Sequence, residues 1–539
     1  MKRLLATVVA AAAAVSSAFA VGGASAAPRT AAVRSALPTD HLALGVAVGP
    51  DEPGLDGWLP STGVPFDFAY QYLAGGVDTG QGWQTWNDGG QFPVLYAKDA
   101  ASKGAIPVFS YYMLQQSKPQ CVGCGEAQRD LAGLNSPSTM RAWYADITTL
   151  FQRLATFSGV SVVQVEPDLS GFANQAVLDP GNTCYGFCTG TGDDPSLLKA
   201  AVASSGDADL AGLPDTFAGW THAVRALRDK YASRVKLGFH VSSWAPVQDV
   251  GSQHEADLDP VALGTKAGTF AKLAGASTYD VTFNDVADRD AGYYERVYGQ
   301  DRWWDQDNVR FPNFHRWERF VSAVHATVGR PVWIWQIPIG NQVMRSENNT
   351  DGHFQDNRLQ YLLTHVAEVA ATGVTALLFG AGNPGSTVQY DGRGDGVTNP
   401  ASVCDASGSS SGPVCTSQSA TASDDDGGYL RAMAKSYYAH PFGLGPATTP
   451  PGTPKRAISA TPARCSAACT VLVRGRAPAR AKLTITSTVK GHPSHVVAHV
   501  TVPSTGKWSV RVRLSGRGKH VLRAGPVTTS VTIAPPATR

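Results

Sequence analysis

The sequence predicts a (β/α)8 TIM barrel followed by a small all-β domain. Three observations predict it: eight short apolar runs, helical patterns after most of them, and a change to closely spaced β-branched runs near the C-terminus. The composition agrees with this prediction. Of 539 residues, 43% are hydrophobic and 16% are charged, a proportion typical of globular proteins that excludes wholesale disorder.

Eight runs rich in β-branched and aromatic residues are expected to be strands. Most of them are apolar along most of their length, as parallel strands covered on both faces are. The runs span residues 42–48, 66–73, 106–114, 160–168, 235–244, 279–286, 331–339 and 373–382.

Helical patterns with apolar spacing near 3.6 residues follow most of these runs. Eight strands alternating with helices favour a closed barrel. The alternative is an open doubly wound sheet, but no GxGxxG or GxxxxGK[ST] motif follows the first strand, which removes the usual reason for it. The predicted helices span residues 136–157, 217–232, 261–276, 311–329, 357–373 and 428–439.

A linker is predicted at residues 441–456, which are rich in Pro, Thr and Gly. It separates a barrel at 40–440 from a module at 457–539. The module's short alternating runs, broken by Gly, Pro and Ser, are typical of a β-sandwich.

Charge is distributed unequally along the chain. Residues 455–539 contain 15 Lys and Arg and no Asp or Glu, which leaves 30 basic against 43 acidic residues elsewhere, a formal charge of −13. A basic module is attracted to polyanions, so we expect it to bind an anionic cell-wall or capsular polymer. A solvated spacer is the alternative. We expect no nucleic acid as a partner, because the module offers no helix for a groove and export is predicted.

The N-terminus predicts a secretory signal peptide over residues 1–26. Lys2 and Arg3 precede an apolar stretch at 4–20, and Ala24-Ser25-Ala26 forms a small-residue cleavage site. An uncleaved anchor is the alternative. No later apolar run reaches about 18 residues, so we expect no membrane span. The protein is therefore expected to be secreted, either extracellular or associated with the cell wall.

Eight cysteines form four closely spaced pairs, and an even number in an exported chain predicts disulfides. The alternative is a zinc site made from the first two pairs. The segment Asp391-Gly-Arg-Gly-Asp395-Gly396 loosely resembles a calcium loop but has Arg at the third position and no Glu at the twelfth. We expect no metal and no cofactor. The pairs are Cys121/Cys124, Cys184/Cys188, Cys404/Cys415 and Cys465/Cys469.

Polar residues at the C-terminal ends of barrel strands are the candidates for a functional site. Glu166 is expected to be a general acid, because the Val-rich strand before it could raise its pKa. Its alternative role is a structural carboxylate that closes the barrel mouth. Asp285 is the first candidate for the partner carboxylate and Asp168 the second. Expected substrate-binding residues are Tyr70, Tyr112, His240, Trp244, Asn284, Trp335 and Gln336.

Four loop tryptophans, Trp83, Trp86, Trp303 and Trp304, fit two roles. Half-exposed indoles would stack on sugar faces, whereas buried indoles would anchor their loops on the core.

Residues 40–440 resemble secreted bacterial (β/α)8 glycoside hydrolases in architecture and in residue types. The largest clan of these enzymes places Asn-Glu at strand 4 and a Glu nucleophile at strand 7. Here Glu166 follows Val165, and Gln336 stands in the strand 7 region. The resemblance therefore implies that Glu166 is the general acid. It offers no match for the clan's Glu nucleophile, and therefore no support for a retaining mechanism. Residues 504–514 and 518–524 resemble bacterial immunoglobulin-like modules, which implies an immunoglobulin-like sandwich.

Three functions fit these observations. The first is a secreted glycoside hydrolase that cleaves a polysaccharide with two carboxylates. The second is a non-catalytic carbohydrate-binding barrel, which Gln336 in place of a Glu would favour. The third is another hydrolase or lyase on the same scaffold, although a phosphodiesterase would need a tight His/Asp/Glu metal cluster that the sequence does not display.

Overall fold

The computed structural model describes residues 33–118, 123–350, 352–380, 382, 385–405, 414–445, 457–461, 464–465, 468–476, 482–490, 492–502, 507–524 and 527–533. The predicted signal peptide and most of the predicted linker lie outside these residues.

A closed barrel of eight parallel strands forms the larger part of the fold, in the order β1 to β8. The predicted (β/α)8 architecture is confirmed, and each strand falls within one of the eight predicted runs. The strands are Ala43–Ala47, Phe68–Leu73, Ile106–Tyr111, Ser161–Val165, Val235–His240, Val281–Asp285, Val332–Ile337 and Val374–Phe379.

Thirteen α-helices, α1 to α13, are found in the described residues, and none of them is long and apolar enough to cross a membrane. Their bounds are Trp58–Thr62, Phe92–Ser102, Glu126–Asn135, Pro137–Ala155, Pro167–Leu178, Pro180–Thr183, Phe217–Tyr231, Pro260–Ala274, Ala291–Tyr293, Phe314–Val328, Arg358–Thr364, Val366–Ala371 and Tyr429–Ala439.

Side chains alternate between two cores along each barrel strand, as the two-residue period of a strand requires. Phe68, Tyr70, Val162 and Phe283 belong to the core that fills the barrel. Residues one position away, such as Phe109 and Val163, belong to the core between the barrel and its helices. A side chain that continues the inward series past the end of a strand therefore reaches the C-terminal mouth.

Three features differ from the sequence prediction. Strand β4 ends at Val165 because Glu166 has a left-handed backbone (φ 44°) and Pro167 begins α5. Several helices were not predicted, among them Phe92–Ser102, Glu126–Asn135 and Pro167–Leu178. The predicted helix at 357–373 is two helices, α11 and α12, separated at His365.

The C-terminal module consists of two antiparallel sheets with a core of its own. One sheet has the order β11-β13-β16, and the other has β12-β18-β17-β14-β15, in which only the short β12 runs parallel to its neighbour. Trp508, Val512 and Leu522 are buried in the core. The short pair β9 and β10, Cys404–Asp405 and Val414–Cys415, precedes α13. The module strands are Ala457–Thr461, Arg464–Cys465, Cys469–Arg476, Lys482–Val489, His495–Thr501, Lys507–Leu514, Gly518–Ala524 and Val527–Ile533.

Three of the four predicted disulfides are confirmed: Cys184–Cys188, Cys404–Cys415 and Cys465–Cys469. Cys124 is also disulfide-bonded, and its predicted partner Cys121 lies outside the described residues. The zinc alternative needed Cys184 and Cys188 as thiolate ligands, and their disulfide leaves neither as a thiolate.

Asp67 joins the two ends of the barrel domain from a buried position before β2, at the N-terminal end of the strands. Its carboxylate accepts from Arg34 Nη1 at 2.6 Å, lies 2.9 Å from His41 Nε2 and accepts from the Tyr438 hydroxyl at 2.6 Å. Burial lowers the pKa of His41, but the carboxylates of Asp67 and Asp40 outweigh burial and raise it above 6.5. One buried side chain thus fastens the N-terminal segment and α13 to the barrel.

Replacing Asp67 with Asn should lower the free energy of unfolding by about 3 kcal/mol, because a buried carboxylate with charged partners is lost. The loss should be largest below pH 6.5, where His41 is protonated in both states, and should shrink as the pH rises through the raised pKa of His41. Calorimetry at about pH 6 and about pH 9 measures both effects. Asp40→Asn is the control, since Asp40 also contacts His41 but its side chain is 85% exposed. Equal, small effects of both variants would contradict the role of Asp67.

Candidate functional site

Four strands place an inward side chain at the mouth of the barrel. Tyr72 on β2, His240 on β5, Asp285 on β6 and Trp335 on β7 each continue the inward series of their strand. The Trp335 ring packs against His240 and Tyr72, with centroid distances of 5.4 Å and 5.9 Å. Parallel strands thus bring together residues that are far apart in the sequence.

A buried polar chain crosses three neighbouring strands just below the mouth. The Ser110 hydroxyl donates to Gln164 Oε1 at 2.8 Å, and Gln164 Nε2 lies 2.9 Å from His240 Nδ1. An amide nitrogen can only donate, so His240 Nδ1 accepts and the ring carries its proton on Nε2. That nitrogen lies 3.6 Å from Asp285 Oδ1. The chain therefore fixes the orientation of the imidazole and directs a donor toward Asp285.

Asp285 is the last residue of β6, and its side chain is 16% exposed. Its Oδ1 accepts from the Ser243 backbone N–H at 3.0 Å, and Ser243 also donates its hydroxyl to the Asp285 carbonyl oxygen. The end of β6 and the segment after β5 therefore hold the Asp285 carboxylate in place. It stays partly exposed, as an acid–base or nucleophilic group requires.

Asp168 lies in the first turn of α5 and is half-buried. Burial raises its pKa well above the ordinary range, and the carboxylates of Glu126 and Asp285 raise it further. The Tyr112 hydroxyl lies 3.3 Å from Asp168 Oδ2 and also donates to Glu126. One hydroxyl proton cannot serve both carboxylates at once, so this arrangement favours a protonated Asp168.

Gln336 enters the mouth because its backbone is left-handed, with φ of 54°. The register of β7 against β8 shifts between Ile334 and Ile337, and Gln336 Nε2 donates to the Tyr72 hydroxyl. A Cβ at Gly382 would lie 1.8 Å from Gln336 Nε2, so a larger residue there would displace this amide. Non-glycine residues in this conformation are uncommon and concentrate at functional sites.

The Glu166 carboxylate does not continue the inward series. It accepts from the Met113 N–H at 3.2 Å, from the Leu114 N–H at 3.1 Å and from Trp143 Nε1 at 2.7 Å. Trp143 and Leu114 belong to the core between the barrel and its helices, and Glu166 is 1% exposed. Burial raises its pKa to about 7, although the three donors oppose the shift. The carboxylate therefore ties the segment after β3 to the end of β4.

The remaining predicted binding residues differ in their access to the mouth. Tyr70 is buried inside the barrel and donates to the Gly380 carbonyl oxygen at 2.8 Å. Asn284 faces the helices, donating to the Val241 carbonyl oxygen at 2.6 Å and accepting from Trp317 Nε1 at 3.0 Å. Trp244 is half-buried after β5 and packs against Phe172.

Three of the four loop tryptophans are anchors. Trp83, Trp303 and Trp304 are at most 2% exposed. Their indole N–H groups donate to Asp146, Glu295 and the Gly251 carbonyl oxygen, respectively. Only Trp86 of this group is exposed, at 41%, so it alone keeps a free face for stacking.

Sequence reasoning missed three residues of the mouth: Tyr72, Gln164 and Glu126. The first two carried a signal. Tyr72 follows Phe68 and Tyr70 at the two-residue period of an inward face, and Gln164 is a polar residue within an apolar run. Glu126 lies on α3, in the long connection after β3, and no local pattern indicates its proximity to Asp168.

Comparison with known proteins gives distant structural likenesses. No protein-family model and no curated protein sequence matches the chain. A modular endo-β-1,4-mannanase from Cellulomonas fimi, of glycoside hydrolase family 26, is 13% identical with a TM-score of 0.40, over 92% of this chain and 94% of that one. GH5_18 from Streptomyces cattleya, solved with GlcNAc, is 10% identical with a TM-score of 0.36, over 76% and 82%.

A β-glucosidase in its apo form is 11% identical with a TM-score of 0.33, over 61% of this chain and 76% of that one. These solved structures are glycoside hydrolases. With TM-scores below 0.5, the likenesses carry no argument about the chemistry of the mouth.

Replacing Glu166 with Gln should destabilise the fold, because one carboxylate oxygen would become an NH2 that faces the N–H donors of Met113 and Leu114 inside the core. The free energy of unfolding should fall by about 1–3 kcal/mol, measured by denaturant titration. The variant also decides between the two roles of Glu166. An unchanged free energy of unfolding together with a loss of turnover of about 10² would restore Glu166 as the general acid predicted from the sequence.

Proposed function

We propose that this protein is a secreted glycoside hydrolase that cleaves a polysaccharide at the barrel mouth with the carboxyls of Asp168 and Asp285. The observation that supports it is the contrast between these two residues. Asp168 has a pKa raised by burial and by neighbouring carboxylates, whereas Asp285 faces His240 Nε2 and accepts from Ser243. Two carboxyls with divergent environments are what glycoside hydrolysis requires.

In the proposed reaction, Asp168 donates its proton to the glycosidic oxygen as the bond to the anomeric carbon breaks. The Asp285 carboxylate attacks that carbon or removes a proton from the attacking water. In the retaining course, a water molecule deprotonated by Asp168 then releases the sugar from Asp285, whereas in the inverting course Asp285 acts only as the base for the attacking water. The two courses differ in the separation of the two carboxyls. His240, held by Gln164, stabilises the charge of Asp285 and orients it.

Asp168 is preferred to Glu166 as the acid because of what surrounds each carboxyl. Glu166 has three donors and is only 1% exposed, which leaves almost no surface to offer a substrate. Asp168 is half-buried beside Tyr112, whose hydroxyl it shares with Glu126. We assign Glu166 the positioning of the segment that carries Tyr112.

Sugar recognition would fall to the polar and aromatic side chains of the rim. Tyr112 and Gln336 bring hydroxyl and amide groups, and Trp244 brings a half-buried indole. A purely carbohydrate-binding barrel is not proposed, because it would need open aromatic platforms and most of the loop tryptophans are buried.

Asp168→Asn and Asp285→Asn should each lower turnover by at least about 10² while the fold remains intact. Wild-type activity should also fall as the pH rises through the raised pKa of Asp168, because the acid must be protonated. Release of reducing ends from a panel of plant and microbial polysaccharides measures both effects. Asp193→Asn, in an exposed loop, is the control. Near-wild-type activity of both mouth variants would contradict the assignment, and binding without hydrolysis by the wild type would contradict the function.

We also propose that the C-terminal module is an immunoglobulin-like sandwich that holds the enzyme on an anionic cell-wall or capsular polymer. Its basic side chains alternate with the core residues. Arg511 and Arg513 are exposed between buried Trp508, Val512 and Leu514 on β16, and Arg474 is exposed on the paired strand β13. This sheet therefore carries three outward guanidiniums on one face, which supports attraction to a polyanion.

Replacing Arg474, Arg511 and Arg513 together with Gln should weaken binding of the full chain to teichoic acid by at least about tenfold at low salt. Wild-type binding should disappear near 1 M salt, where the screening length is about 3 Å. Co-sedimentation measures both. A triple variant of the exposed barrel residues Lys98, Lys272 and Lys435 is the control. Binding that survives 1 M salt, or equal losses in both triple variants, would contradict the anchor.

A further inference from the structure

The loop after β7 and the segment after β8 meet through three ligand-type side chains. His353 comes from the loop after β7, and Asp395 and Asp425 come from the segment between β8 and α13. One imidazole nitrogen and one oxygen of each carboxylate lie within 4.8 Å of one another. His353 Nε2 is 3.2 Å from Asp395 Oδ2. This group has no role in the proposed reaction.

Asp425 is only 1% exposed, so the contacts of its carboxylate oxygens need an explanation. Its Oδ1 accepts from the Gly392 N–H at 3.1 Å. Its Oδ2 is buried and has no hydrogen-bond partner in the described part of the chain. An unpartnered carboxylate oxygen in the interior is costly, so this atom points to a ligand that the protein side chains do not supply.

Negative charge exceeds positive charge around Asp425. The Arg393 guanidinium and the carboxylates of Asp395 and Asp391 lie near this carboxyl. Three carboxylates face one guanidinium, a formal excess of two negative charges. A divalent cation would neutralise it.

We propose that His353, Asp395 and Asp425 bind one divalent transition-metal ion, with Zn²⁺ the best match. An imidazole nitrogen with two carboxylate oxygens is a donor set that zinc accepts, and three protein ligands leave one position for water. Calcium fits poorly, because it takes six to eight oxygen ligands.

The ion would act as a structural clamp beside the mouth. The segment after β8 already contacts the loop after β6, since Thr387 N–H donates to Asp290 and Arg289 donates to the Gly385 carbonyl oxygen. The loop after β7 also contacts this segment, since the Phe354 N–H donates to the Thr387 hydroxyl at 3.0 Å. The ion would strengthen this link through His353.

The test uses the full chain without a polyhistidine tag, treated with a chelator and then titrated with Zn²⁺ or Ca²⁺. Zinc should bind at this site with one equivalent and raise Tm by about 2 °C or more, and calcium should not. His353→Gln should lose that equivalent and the rise in Tm. The matched control is His315→Gln, which changes the other described His–carboxylate group, His315 with Glu318 and Glu368.

Asp425→Asn separates metal binding from a structural role. Asn Oδ1 can still accept from Gly392, and the variant removes one of the crowded charges, so its Tm in chelator should equal or exceed that of the wild type. Its response to zinc should be lost. The proposal is overturned if the wild type binds no zinc, if His353→Gln retains the equivalent, or if Asp425→Asn lowers Tm equally with and without zinc.

Discussion

The hydrogen bonds of the buried Gln164 side-chain amide hold the residues of the barrel mouth in place. The amide lies inside the barrel with no exposed surface, where an unsatisfied amide would be costly. It is satisfied by Ser110 from one neighbouring strand and His240 from the other. Because the amide accepts on one side and donates on the other, the three strands fix each other's side chains. The imidazole that faces Asp285 is thereby held in one tautomer.

Three acidic residues near the end of β4 show how environment sets the role of a carboxyl. Glu166 is enclosed by donors from the segment after β3 and from α4. Asp168, two residues later, is half-buried among other carboxylates. Asp130 on α3 is buried, and burial together with Glu166 and Glu126 raises its pKa well above the ordinary range. Desolvation and like charge together raise the pKa of these groups, and Asp168 is the one of the three that is not fully buried.

The strands could be predicted from the sequence because parallel barrel strands are apolar on both faces and give continuous runs. The helix at Pro167–Leu178 could not, because its sequence of small and polar residues lacks a clear apolar stripe although it packs in the core. The helix at Phe92–Ser102 is buried over much of its surface and gives little periodicity. Local disulfides could be predicted, since their cysteines are close in the sequence.

The site was predicted in part. His240, Asp285 and Trp335 were found because strand ends can be read from the runs. Glu166 shares the parity of the inward Gln164, so strand periodicity alone would direct it into the mouth. The left-handed backbone before Pro167 turns it away instead. Gln336 shows the opposite case. Its left-handed backbone breaks the alternation of β7 and brings its side chain into the mouth. Such backbone conformations arise from tertiary packing, and residue type alone does not reveal them.

The protonation state of Asp168 tests the central claim most directly. Infrared difference spectra between the wild type and Asp168→Asn across a pH titration isolate the carboxyl stretch of this residue. We expect a protonated carboxyl that persists well above the ordinary value of 3.8, and that ionises at lower pH when Glu126→Gln removes a neighbouring charge. A carboxyl that is already ionised at pH values near 4, in both backgrounds, would contradict it.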